Sequence, residues 1–189
     1  MSEKVGMTGS HKFKQLILYL AAKSEGDQSF GATKLNKLLF YSDFLAYLTT
    51  GSPISGQTYQ KLSYGPAPKS LVPVLREMQD EQLCIERERA HFGKTQRQVV
   101  PLVEPDLSCF TAKEVDIVHE VLSELRHSSA SEVSELSHRF IGWQAAAEGE
   151  EIPYETALLA GSPLPPTEAE LELCEQLARE CGDLSDHPA

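Results

Sequence analysis

The most apolar stretch of the chain predicts its central element. Within KLNKLLFYSDFLAYLTTG, which starts at Lys34, Leu35, Leu38, Leu39, Phe40, Tyr41, Phe44, Leu45, Tyr47 and Leu48 cover nearly every face of one helix. A helix that is apolar all round has no solvent side, so it is predicted as the buried centre of the fold. Thr33 is placed to cap its start and Gly51 to close it in a left-handed turn, with Ser52-Pro53 barring continuation. Asn36 and Asp43, seven residues apart, fall on one stripe of this helix and need hydrogen-bond partners there.

Around that centre the pattern changes element by element. Residues 1–11 are polar with two glycines and are expected as a flexible tail. From Lys12, the set Phe13, Leu16, Ile17, Leu20 and Ala21 has the spacing of an amphipathic helix. Between Ile54 and Pro68 the chain reads as a shaped loop rich in Gly, Pro and Tyr, and a third helix is expected from about Ala67 to Gln79, with Pro73 near its first turns. Residues 83–102 switch to a period of two around Phe92-Gly93-Lys94, the mark of a β-hairpin whose alternate positions include Arg87, Arg89 and Arg97. Three helices followed by a hairpin is the order of a winged-helix plan. Two capping boxes, Thr111 with Glu114 and Ser129 with Glu132, open two further helices, the first with Val115, Val118, Val121, Leu122 and Leu125 inward. Tyr154–Leu159 is expected as a last short helix.

These elements predict a mainly α fold with a small β-hairpin (α+β), forming one compact helical domain over residues 12–160. Gly161–Pro166 reads as a linker, Thr167 with Glu170 as a third capping box, and 167–181 as an acidic helix with Leu171, Cys174, Ala178 and Cys181 on one face; 182–189 is a tail.

Charge divides the chain. Residues 1–103 hold 13 Lys and Arg against 9 Asp and Glu (+4), whereas residues 104–189 hold 4 against 19 (−15). A net charge of −11 makes nucleic acid an unfavoured partner, although the basic half could face phosphate or an acidic protein. No apolar run approaches the roughly 18 residues of a membrane span, and the polar, charged N-terminus lacks a signal-peptide pattern. A cytoplasmic protein with no membrane partner is expected. Cys84, Cys109, Cys174 and Cys181 form no CxxC pair and no zinc-spaced cluster with His, which predicts reduced thiols and no metal.

Catalytic motifs are missing from the sequence: there is no Walker loop, no GxGxxG after a strand, no GxSxG and no HExxH, and the histidines are scattered. Neither an enzyme nor a cofactor is expected. Asp43, on its apolar helix, suits a structural hydrogen bond to Tyr59, Lys61, Tyr64 or a loop amide; acid–base use is the alternative and lacks a second group. Tyr59, Tyr64 and Trp143 are residue types that dominate protein-binding hot spots and equally fill cores.

The segments TKLNKLLFYSDFLAYLTTG, ISGQTYQKLSYGPAP, LREM and SHRFIGWQAAAEGEEIPY resemble the Panacea, or SocA-like antitoxin, domain over about Phe13 to Leu159. Lys34, Leu35, Lys37, Leu38, Tyr41, Asp43, Gly56, Tyr59, Tyr64, Gly65, Pro66 and Trp143 carry the resemblance most specifically. It implies a mainly helical bacterial or phage antitoxin that binds and neutralises a cognate protein toxin, encoded by a neighbouring gene. One branch instead delivers its toxin to an AAA+ protease. Toxin contact is expected at Tyr59, Lys61, Tyr64, Gly65 and Pro66, at Arg87, Arg89 and Arg97 of the hairpin, and at Trp143. Asn36 and Asp43 are expected to be structural. A winged-helix DNA-binding transcriptional regulator is the alternative.

Overall fold

The computed structural model describes residues 3–91, 94–160 and 172. Its centre is helix α2, Ala32–Thr50, buried from Leu35 through Ala46 apart from the half-buried Asn36. Around it pack α1 (Glu3–Lys23), α4 (Ala112–Leu125), α5 (Ala130–His138) and the short α7 (Ala157–Ala160), with α3 (Leu71–Asp80) and α6 (Ile141–Ala145) completing the helical set. An aromatic cluster of Phe40, Phe44, Tyr59, Phe140 and Tyr154 fills one side of α2, with ring centroids 4.3–6.1 Å apart. No described helix is long and apolar enough to cross a membrane.

Helix boundaries follow local chemistry. Gly51 closes α2 in the left-handed conformation, φ 77°, its N–H donating to the Tyr47 carbonyl. The start differs from expectation: Gly31, not Thr33, is the cap, because the Leu35 N–H already donates to the Gly31 carbonyl at 2.9 Å and places Thr33 inside the first turn. Two of the three expected capping boxes are formed, Thr111 with Glu114 opening α4 and Ser129 with Glu132 opening α5, and the third, Thr167 with Glu170, lies outside the described residues. Helix α1 begins at Glu3, so residues 3–11, expected as a tail, extend it. Once the Phe13–Ala21 face is docked, adding residues to an existing helix avoids the nucleation cost.

Two small antiparallel sheets complete the fold, a mainly α structure with a minor β component. The first has the order β2-β1-β5, built from β1 (Tyr59–Leu62), β2 (Gly65–Pro68) and β5 (Glu151–Ile152). The stretch expected as a loop is therefore a hairpin, and α3 starts at Leu71 instead of Ala67. Pro66 and Pro68 mask the strand in the sequence, yet both fit because β2 is an edge. The second sheet is the predicted hairpin, β3 (Cys84–His91) with β4 (Lys94–Pro101). It follows α1, α2 and α3 in the chain, but β1 and β2 intervene between α2 and α3. Its register pairs Glu88 with Arg97, which sets Arg97 on the face opposite Arg87 and Arg89 and corrects the expectation of one arginine row. The linker 161–166, the acidic helix 167–181 and the tail 182–189 lie outside the described residues, Glu172 excepted.

Candidate functional site

Asp43 organises the chain that follows α2. It is fully buried, and its carboxylate accepts the Ser55 N–H at 2.7 Å, the Ser55 hydroxyl, and the Tyr59 hydroxyl at 2.8 Å. Burial pushes its carboxyl pKa up, while these donors push it back toward ionisation. The loop after α2 is thereby clamped to the helix and β1 is aimed across it. Asn36 plays a different part: its Nδ2 donates to the Ala32 carbonyl at 2.8 Å, within its own helix.

Two lysines of α2 do comparable work. Lys34 is buried and its Nζ donates to Asp27 at 2.6 Å, the Ser128 carbonyl at 2.7 Å and the Arg126 carbonyl at 3.3 Å. It thus joins the α1–α2 loop to the carbonyls that end α4, where a cation is favoured. Lys37 is equally buried, with the Pro66 carbonyl at 3.0 Å as its acceptor, and burial lowers its pKa to about 7. Gly65 sits directly above: a Cβ there would lie 2.8 Å from the Lys37 Nζ and collide with Ser137, and its φ of 97° excludes most other residues. Lys37 fixes β2 from below; Ser134 fixes the turn, its hydroxyl donating to the Tyr64 carbonyl at 2.8 Å.

Trp143 and Lys61 form a second clamp. The Lys61 Nζ lies 4.3 Å from the Trp143 ring centroid and donates to the Ala146 carbonyl at 2.9 Å. Trp143 Nε1 donates to the Leu62 carbonyl at 3.2 Å, and its ring stacks on His138 at 4.1 Å. The His138 Nε2 is buried without a hydrogen-bond partner among the described residues, and burial lowers that imidazole's pKa, with Lys37 adding to the effect.

Burial sorts the residues expected to touch a partner. Tyr59, Gly65 and Pro66 are buried and hold the first sheet in place; they present no contact surface, because Asp43, Lys37 and Ser137 occupy their surroundings. Lys61 and Trp143 are half-buried against each other. Tyr64, 74% exposed, and Arg87, Arg89 and Arg97 face solvent. Tyr64 and Arg97 both line a groove of about 1080 Å³ between the hairpin and the N-termini of α2 and α5, with Thr33, Thr95, Ser131 and Glu135 along its walls. Arg87 and Arg89 are not among its lining residues. Sequence reasoning gave Lys34 and Lys37 no role; their spacing of three on an otherwise apolar helix was the signal, parallel to that of Asn36 and Asp43.

A buried helix whose lysines and aspartate pin the first sheet and the loops on either side, with a surface groove lined by an aromatic and an arginine, is a scaffold built for holding loops. No three His, Cys, Asp or Glu among the described residues are grouped to hold a metal ion. The model of the antitoxin SocA-like, Panacea domain matches residues 35–144, more than half of the chain, and the chain belongs to that family. The matched span contains the Asp43 and Lys37 clamps and the Lys61–Trp143 contact, whereas Lys34 and Asp27 lie just ahead of it. Neither the curated proteins nor the solved structures contain a match to it.

Proposed function

We propose that this chain is the antitoxin of a bacterial or phage two-gene pair and neutralises a cognate protein toxin by direct binding. The observation that carries this reading is the exposure of Tyr64 on a groove that Arg97 also lines, inside a Panacea domain. Tyr and Arg are among the residue types that carry most of the binding energy at protein interfaces. Arg87 and Arg89, on the outer face of the hairpin, extend the contact toward an acidic toxin surface.

Co-expression with the product of the adjacent open reading frame tests this. Restored growth with a stable co-purified complex supports neutralisation by binding. Restored growth with loss of the neighbour, dependent on an AAA+ protease, converts the mechanism to delivery. Unrelieved toxicity without a complex overturns both. The DNA-binding alternative has weaker support: α3, the helix in the recognition position, carries Arg76 as its one cation beside Glu77 and Asp80, too few contacts for a phosphate backbone. Lys69 lies ahead of the helix, 3.8 Å from Glu151.

A further inference from the structure

Cations gather in one cavity of this acidic chain. The cavity, of about 620 Å³, lies between the ends of α1 and α4, the loop that joins α1 to α2, and α2 itself. Lys23, Lys34, Arg126, His119 and His127 line it against a single carboxylate, Asp27, in a protein whose net charge is −11. Asp27 is already committed, accepting from the Lys34 Nζ at 2.6 Å and from the Ser29 N–H at 2.8 Å. Positive charge on the walls is therefore in excess.

Helix ends attract cations, but the end of α4 is satisfied without the exposed ones. The Ser123 and Leu125 carbonyls accept the N–H groups of Arg126 and Ser128, and the Arg126 and Ser128 carbonyls accept from Lys34. Lys23 and Arg126 are exposed, and neither forms an ion pair among the described residues. His119 shares a hydrogen bond with the Tyr19 hydroxyl, and the Tyr19 ring centroid lies 5.8 Å from the Lys23 Nζ. An ammonium and a guanidinium are thus left uncommitted on the walls, beside the buried ammonium of Lys34, whose charge solvent screens little. Ser24, Ser29 and Ser123 add hydroxyl donors to the same lining.

We propose that this cavity binds a small phosphorylated anion. The planar fork of arginine and the point charge of lysine are the donors that suit phosphoryl oxygens. The volume falls in the range of small-molecule sites, about 300–1,000 Å³. Cations that line one concavity, instead of running along a face, favour a small anion over a nucleic-acid backbone. The inference is independent of the antitoxin reading, since it concerns the chain alone.

Titration calorimetry of the full chain with inorganic pyrophosphate and, separately, with adenosine monophosphate tests it without any toxin. One-to-one binding of at least one of them is expected, with a matching rise in melting temperature. Pyrophosphate alone would assign the site to bare phosphate groups, and the nucleotide would assign it to phosphate carried on an organic body; both support the proposal. Lys23→Ala with Arg126→Ala, two exposed positions, should weaken binding by about tenfold or more while the ligand-free melting temperature is kept. Arg87→Ala with Arg89→Ala removes the same charge from the hairpin, outside the cavity, and should change the affinity by less than about twofold. Neither heat nor a melting-temperature rise at about 1 mM of either anion overturns the proposal. Equal loss in the two double variants also overturns it, as diffuse attraction, and full retention in the Lys23 and Arg126 variant does so by placing the anion elsewhere. Binding of a single-stranded oligonucleotide with neither small anion bound would assign the surface to nucleic acid and overturn it equally.

Discussion

Lys37 places an amine where water does not reach, against the Pro66 carbonyl and under Gly65. With its pKa lowered to about 7, the folded protein releases this proton at a pH where the unfolded chain still holds it. Between about pH 7 and the ordinary lysine range the unfolded state binds more protons, so this residue's contribution to stability rises with pH by up to about 1.4 kcal/mol per unit. Below pH 7 the full cost of burial remains. Lys37→Met keeps the aliphatic stem and removes the titration. Denaturant unfolding at pH 7 and pH 9 should therefore show wild type gaining on the variant as pH rises. A constant difference between the two proteins would mean that Lys37 stays charged in the fold. Using the difference cancels the buried tyrosines and Cys84, whose raised pKa values act on both proteins. Asp43 gives the complementary case: Asp43→Ala strands the Ser55 and Tyr59 donors and should destabilise by about 3 kcal/mol. A loss below about 1 kcal/mol in the same unfolding assay would show that the clamp contributes little.

Elements with their own local signal were legible in the sequence. The capping boxes of α4 and α5 are complete in four residues each, and Thr111→Ala and Ser129→Ala should each cost about 1 kcal/mol. Because the caps open separate helices and share no partner, the double variant should lose the sum; a shortfall in chemical denaturation would reveal coupling through α2. The hairpin and α2 were also legible, since period two and an all-apolar helix need no tertiary information. β1 and β2 were not, because four-residue strands holding two prolines carry no alternation, and their pairing is fixed by Asp43 and Lys37 from another element. The same long-range cause hid the burial of Tyr59, Gly65 and Pro66. A motif rich in Tyr, Gly and Pro reads alike whether it faces a partner or the lysine beneath it. The face of Arg97 was lost for a simpler reason: a hairpin's register follows from its turn, and a shift of one residue exchanges the two faces.

At the scale of the whole molecule, the family's sequence signature and its exposed surface are largely separate things. Lys34, Lys37, Asp43, Tyr59, Gly65 and Pro66 are interior and hold the frame; Tyr64 and Gly56 reach solvent, and of the two Tyr64 offers a side chain. This division between frame and surface makes two tyrosines five residues apart behave oppositely. Tyr64→Ala should leave the melting temperature unchanged and weaken toxin binding by about tenfold or more, the loss expected of an aromatic hot spot. Tyr59→Phe removes the hydroxyl that Asp43 holds and should lower the melting temperature with affinity retained in the folded fraction. Titration calorimetry beside thermal melts of both variants separates the two effects. If Tyr64→Ala binds like wild type while substitution of Arg87 and Arg89 abolishes binding, the contact lies on the outer hairpin face and the groove is not the toxin's site.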